Sequence, residues 1–277
     1  MYKSVSLNSL NYFGRIILEE RRDIYMIVTT EAWGNVPLLH IHQEETKMDA
    51  PIVIFLHGFE SGKEHNLHYA YQLVQKGCRV ILPDAHLHGE RDEKLDNVEI
   101  SLRFWEIILT SIEEVGQIKQ ELENRGYLTG QKIGIGGTSM GGITTLGCLT
   151  AYPWIDAAAI MMGTPAYVEL AKAQIASVEK KGFKVPLDAT ERKNMFDTLS
   201  NFDASIHTDN LIDTPLFFWH GEKDPVVPYG PTAQFIETLK KQYDKQNIIL
   251  MNEKSAAHAV SRKGMLASMQ WLANSLA

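Results

Sequence analysis

The sequence predicts an α/β protein: a mostly parallel sheet of about eight strands, with helices on both faces and a helical insertion near the carboxyl ends of the strands. Three observations predict it. Short continuous apolar runs recur at residues 51–56, 79–83, 157–162 and 215–219, and such runs mark strands buried on both faces, as in a parallel sheet. Helix-like segments separate them, as crossover connections require. Between two of these segments stands Gly137-Thr138-Ser139-Met140-Gly141, a pattern that suits a tight strand-to-helix turn.

The elements follow in order. Residues 23–30 and 36–42 read as two early strands joined by Gly34-Asn35. His40 and His42 share one strand face, a spacing that suits a metal. No third ligand stands nearby, so solvent-facing histidines are expected. The buried run 51–56 leads into a loop, 57–63. A helix through 69–74 ends near Gly77, and 79–83 is the next strand. An amphipathic segment from about 97 to 125 is stopped by Gly126. A strand at 132–135 and a helix at 142–149 flank the Ser139 turn, and 157–162 is another buried strand.

Residues 164–212 break this rhythm. They are charged, contain helical pieces near 166–180 and 189–199, and hold no buried-strand run. They are expected to form a cap inserted over the active site within a single domain, 1–277. The rhythm resumes with the strand 215–219, a helix over 232–242, a strand at 248–251 and a last helix from 258 to about 273. No repeat or low-complexity tract interrupts it.

The chain has 277 residues, 44% hydrophobic and 22% charged, enough to bury one large core. Its formal charge of −7, from 34 acidic and 27 basic residues, argues against a nucleic-acid or anionic-membrane surface. Cys78 and Cys148 form no Cys-x-x-Cys motif. Two semi-buried thiols in a reducing compartment are expected. The first residues lack the apolar core of a signal peptide, and no apolar run approaches the ~20 residues needed to span a bilayer. These features together point to the cytoplasm.

The Gly-x-Ser-x-Gly pattern alone arises by chance in roughly one chain of this length in ten. Its context carries the argument. A serine hydroxyl needs a base to take its proton, and the base needs a carboxylate to fix its tautomer. In this architecture the chain order is serine, acid, histidine. Asp224 follows the apolar strand 215–219, where the acid belongs. Asp213 precedes that strand, on the wrong sheet edge, and Glu222 is kept in reserve. His258 is the only histidine beyond Asp224 and is expected to be the base. The oxyanion needs two donors. The amide of Met140, just after the nucleophile, and that of Phe59, in the loop after the run 51–56, fill that role. His57, Gly58 and His88 are expected to line the substrate pocket. Asp84-Ala85-His86-Leu87-His88 reads as a hydrogen-bonded loop shaping the pocket floor rather than a metal site. No dinucleotide or phosphate-loop motif is present, so neither cofactor nor metal is expected.

These residues resemble the α/β-hydrolase superfamily over nearly the whole chain. The likeness is nearest to small bacterial serine esterases related to the prolyl-oligopeptidase and dienelactone-hydrolase branches. It rests on His57-Gly58-Phe59 with Ser61 and Lys63, on Asp84 with His88-Gly89-Glu90-Arg91, and on Gly137-Thr138-Ser139-Met140-Gly141-Gly142. His220-Gly221-Glu222-Lys223-Asp224 with Val227-Pro228, and His258, complete it. The resemblance implies hydrolysis of carboxylic esters, often of short acyl chains, with a small-molecule ester as partner. A prolyl-oligopeptidase-type peptidase and an acyl-coenzyme A thioesterase are the enzymatic alternatives. A ligand binder on the same fold would be expected to lose a member of the Ser–Asp–His set, and all three are present.

Overall fold

The computed structural model describes residues 25–243 and 247–277. Eight strands form one sheet in the order β1-β2-β4-β3-β5-β6-β7-β8. They are β1 (Met26–Trp33), β2 (Val36–Gln43), β3 (Ile52–Leu56), β4 (Arg79–Pro83), β5 (Ile133–Thr138), β6 (Ala157–Met161), β7 (Leu216–Gly221) and β8 (Ile248–Glu253). β1 and β2 form an antiparallel hairpin across Gly34 and Asn35, and β2 is also antiparallel to β4. From β4 to β8 every pairing is parallel. Parallel strands need long crossovers, and helices supply them.

The sheet is covered on both sides because its strands alternate apolar residues to each face. Val53, Phe55, Val80, Leu82 and Trp219 face α1 (Leu67–Val74) and α8 (Arg262–Leu276). Ile52, Ile54, Ile135, Ile160 and Phe218 face the other layer. That layer contains α3 (Phe104–Asn124), α4 (Met140–Ala151) and α7 (Tyr229–Tyr243), preceded by a short α2 (Asn97–Leu102). The β6–β7 crossover carries α5 (Tyr167–Lys180) and α6 (Ala189–Ser200). Asp188 caps α6 in a reciprocal box with Glu191, which fixes where the helix begins.

Several expectations need correction. The described part of β1 begins at Met26 and the strand runs to Trp33, three residues beyond the expected end; the expected start falls partly outside the described residues. The amphipathic segment 97–125 is two helices, broken at Arg103, whose φ of −94° and ψ of 8° leave the helical region. The last helix starts at Arg262 because the Ser261 hydroxyl accepts the Gly264 N–H as N-cap, so residue 258 lies in a loop. Both cysteines are fully buried rather than half-buried.

His40 is also corrected, from solvent-facing to interior. It is 2% exposed, because β2 lies between β1 and β4 and this face is covered by Trp33 and Tyr127. Its Nδ1 pairs with Glu31 at 2.9 Å, and its Nε2 accepts the Arg79 Nη1 at 2.7 Å. Arg79 stacks on Tyr127, Tyr127 on Trp33, and Arg125 on Trp33. This column pins the hairpin to the end of α3.

Candidate active site

At the junction of β5 and α4 the backbone reverses at Ser139, with φ of 54° and ψ of −116°. A non-glycine residue there is strained, and the surroundings must hold it. The Ser139 N–H donates to the Met161 carbonyl of β6 at 2.9 Å. Gly141 makes the turn possible, since a Cβ there would lie 2.2 Å from the Leu56 carbonyl oxygen. Helix α4 therefore presses against the end of β3 and presents the serine hydroxyl at the carboxyl edge of the sheet.

Three expected residues converge at that edge. The Ser139 Oγ lies 2.8 Å from the His258 Nε2, and the His258 Nδ1 lies 2.7 Å from the Asp224 Oδ2. An ionised carboxylate only accepts, so Nδ1–H donates to Asp224 and leaves Nε2 free to accept the serine proton. The Asp224 side chain is fully buried, and its other oxygen accepts the Val226 and Val227 amides at 2.9 and 3.0 Å. Both come from the turn after β7, so the strand end itself shapes the carboxylate's seat. His258 keeps 20% of its side chain exposed, which leaves one side of the ring open to substrate and water. Glu222, the reserve acid, is exposed and engaged by the Asn252 side-chain amide.

The two expected oxyanion donors have different local origins. Met140 is the first residue of α4, and a first-turn amide has no acceptor within its own helix. Phe59 lies in the loop after β3. There a Cβ on Gly58 would sit 3.6 Å from the Ser139 Cβ, so this loop runs directly beside Ser139. The next residue, Glu60, has φ of +57°, a left-handed conformation unusual for a side-chain-bearing residue.

His57 and His88 are corrected from pocket wall to interior. They are 2% and 3% exposed, and the loop backbone uses both nitrogens of each ring. His57 Nε2 accepts the Ala85 N–H at 2.9 Å, so its Nδ1–H donates to the Gly58 carbonyl at 2.8 Å. His88 Nε2 accepts the Glu60 N–H at 3.0 Å, and its Nδ1–H donates to the His86 carbonyl at 2.9 Å. Burial pushes the His57 pKa down to about 4 and lowers that of His88. Both rings are therefore neutral near neutral pH.

Beneath this loop lies a buried ion pair whose partners stand 21 residues apart. The Lys63 Nζ donates to the Asp84 Oδ2 at 2.7 Å, with Glu90 at 2.7 Å and Glu64 at 3.0 Å. The Asp84 carboxylate also accepts the Lys63 amide at 2.9 Å and the Glu90 amide at 3.0 Å. Gly89, at φ of +59°, lets the chain fold over it, since a Cβ there would come within 2.2 Å of the carboxylate. Burial alone would raise the Asp84 pKa, but the Lys63 ammonium and these amides outweigh it and hold it low. Arg91 ties the same loop to Glu114 of α3 at 2.7 and 2.9 Å.

A row of rings continues outward: His88, Phe59, Phe104, Trp105 and Tyr167, with successive centroids 5.1–5.5 Å apart. The Trp105 Nε1–H donates to Gln174 of α5 at 2.9 Å, linking the loop at Phe59 to the β6–β7 crossover. His220, at the end of β7, donates Nε2–H to the Val227 carbonyl at 2.8 Å and stands 3.5 Å from the Asp224 Oδ2. Sequence reasoning gave no role to Lys63, Trp105, Gln174 or His220. A polar residue directly after a buried strand was the available signal for His220. Lys63 stands in the motif that carries the family resemblance, whereas Trp105 and Gln174 lie on helices with no comparable marker. Among the described residues no three His, Cys, Asp or Glu side chains are arranged to hold a metal. No helix among them is long and apolar enough to cross a membrane.

Comparison with known proteins places this geometry in a family. Residues 110–277 match the prolyl oligopeptidase family, a span that contains Ser139, Asp224 and His258. The chain belongs to the prolyl oligopeptidase family. This family member is 43% identical to YitV of Bacillus subtilis (strain 168), a candidate esterase by name, over 88% of its own length and 97% of that protein. It is 31% identical to the esterase YjfP of Escherichia coli (strain K12), over 75% of its own length and 82% of the relative's. TT1662 from Thermus thermophilus superposes with a TM-score of 0.73 at 20% identity, covering 91% of this chain and 98% of the other; that likeness concerns the fold. The prolyl oligopeptidase family member is thus a hydrolase on an α/β-hydrolase fold.

Proposed function

We propose that the protein is a serine esterase that cleaves carboxylic esters, with Ser139 as nucleophile, His258 as general base and acid, and Asp224 as its orienting carboxylate. One observation carries the reading: the unbroken chain of hydrogen bonds from the Ser139 Oγ through His258 to Asp224. Ser139 attacks the ester carbonyl as His258 Nε2 takes its proton, and the buried Asp224 stabilises the imidazolium. The amides of Phe59 and Met140 receive the oxyanion. His258 then returns the proton to the departing alcohol, leaving an acyl-enzyme on Ser139. Water, deprotonated by His258, attacks that acyl group and releases the acid.

The esterase named among the relatives, YjfP, supports an ester rather than an amide as substrate. The reading includes short acyl chains, and residues 164–212 as a cap beside the acyl site within one domain. The Trp105–Gln174 link between that segment and the Phe59 loop supports the cap. Buried, unpaired Cys78 and Cys148 support a cytoplasmic setting.

Ser139→Ala tests the reading. It is expected to remove turnover of p-nitrophenyl acetate and butyrate while leaving the melting temperature within a few degrees. Turnover undiminished in that variant would overturn it. Parallel assays with acyl-coenzyme A and a proline-containing peptide amide separate the esterase from the thioesterase and peptidase alternatives.

A further inference from the structure

The two buried histidines beside the Phe59 loop have no part in proton transfer, yet each spends one ring nitrogen on the backbone flanking Phe59 and the other on the loop after β4. His57 holds the Gly58 carbonyl and His88 holds the Glu60 amide. Phe59 is thus flanked by two held peptides: the one that bears its own N–H, through the Gly58 carbonyl, and the following one, through the Glu60 N–H. The rings also support each other, with centroids 5.4 Å apart, and the edge of Phe59 packs on His88 at 5.3 Å. Glu60 is the strained residue of the loop, at φ of +57°. A left-handed residue persists only where its surroundings over-determine it. The bond from Glu60 N–H to His88 Nε2 fixes its orientation.

We infer that His88 is a positioning residue: it acts through the Glu60 amide to aim the Phe59 N–H at the oxyanion, and so sets the rate of the chemical step without touching substrate. The two ring nitrogens do separate work. Nδ1–H anchors the ring to the His86 carbonyl, within its own loop. Nε2 crosses to the loop after β3, 28 residues earlier. Only the second bond bears on the oxyanion. A misplaced donor weakens the transition state more than the ground state, because full charge on the oxygen exists only in the former.

The two arms can be cut one at a time. In His88→Asn the side-chain amide sits near the position of Nδ1 and keeps the His86 bond, but is too short to reach Glu60. In His88→Gln the side-chain oxygen reaches the position of Nε2 and accepts the Glu60 N–H. His88→Asn is expected to lower kcat about thirtyfold, less than the hundredfold or more of deleting a donor outright, with KM within about threefold. His88→Gln is expected to stay within about fivefold of the parent in both. Affinity for an aryl trifluoromethyl ketone, whose hemiketal places an oxyanion in the same hole, should fall in parallel with kcat/KM across the pair. Thermal unfolding checks that both variants fold. If the Asn variant does not, the same contrast is read between His88→Gln and His88→Met, which has Gln's length and lacks the acceptor.

Equal kcat values in the contrasted variants would overturn the inference. So would a loss confined to KM, or ketone affinity that does not follow kcat/KM. The inference rests on the proposed serine-esterase reading, and the two fail differently. A fluorophosphonate that labels Ser139 to one equivalent in every variant, with equal kcat between them, removes the role of His88 alone. Turnover retained by Ser139→Ala removes the reading beneath it.

Discussion

Replacing Asp84 by Asn should be among the most destabilising single changes near the site, although Asp84 takes no part in the proposed chemistry. The carboxylate is fully buried and the Lys63 beside it is 1% exposed. Asn keeps one acceptor, at the Oδ1 position, for the Lys63 amide. Its NH2, placed where Oδ2 stood, would point donors at both the Lys63 ammonium and the Glu90 amide. The ammonium would keep only Glu90 and Glu64, both largely exposed. Removing one partner of a buried ion pair costs about 3–5 kcal/mol, because the remaining charge stays desolvated. In a protein of this size 1 kcal/mol moves the midpoint by about 2–4 °C, so a drop of roughly 10 °C is expected. Urea unfolding of Asp84→Asn, Lys63→Met and the double variant forms a cycle. The double variant should lose about 1–3 kcal/mol less than the sum of the single losses. The pH dependence has a definite sign. The Asp84 pKa is depressed in the fold, so its contribution is present above the unfolded carboxylate pKa and is lost as pH falls toward the folded value. An Asp84→Asn variant within about 1 kcal/mol of the parent, or additive losses in the cycle, would refute this account.

Other outcomes follow from the same geometry. Asp224→Asn should lower kcat by about 10⁴ with little change in melting temperature, because the wrong tautomer of His258 is then favoured; steady-state kinetics on p-nitrophenyl butyrate measures it. Gly141→Ala should give no folded, active protein, since its Cβ would meet the backbone oxygen of Leu56 at 2.2 Å; the yield of folded protein and its circular dichroism check this. Burial holds the His57 pKa near 4, against 6.5 in the unfolded chain. The unfolded state therefore binds the extra proton over that window, and stability should fall by up to about 1.4 kcal/mol per pH unit as the solution is acidified through it. His57→Gln should flatten that slope in urea titrations between pH 4 and 6.5.

Much of this was legible in the chain because the controlling physics is local. The buried strands announce themselves as apolar runs, and the turn at Ser139 does so by small residues where α4 meets β3. The order Ser139, Asp224, His258 is likewise a sequence property, and the structure brings those three within hydrogen-bond distance. What stayed hidden depends on partners far apart in sequence. His40 read as exposed because nothing near it shows that Arg79 of β4 lies across the ladder. His57 and His88 read as pocket wall because their acceptor roles are fixed by the amides of Ala85 and Glu60, 28 residues away in each case. Lys63 and Asp84 both stand in recognisable motifs, but that they pair with each other shows only when the strand order places the loops after β3 and β4 side by side. The break at Arg103 lacks a proline or glycine to mark it.

The sheet order has a consequence for how the protein comes into being. β7 and β8, whose following loops carry Asp224 and His258, lie at one margin of the sheet and come last in the chain. The strained serine turn leaves the ribosome well before His258, which lies 119 residues further on. Chains grow from the N-terminus, and what has emerged begins to fold. During synthesis the exposed edge of β6 waits for β7, and Ser139 waits for Asp224 and His258. A nascent chain can thus bury most of its core before the hydrogen-bonded Ser139–His258–Asp224 chain can form.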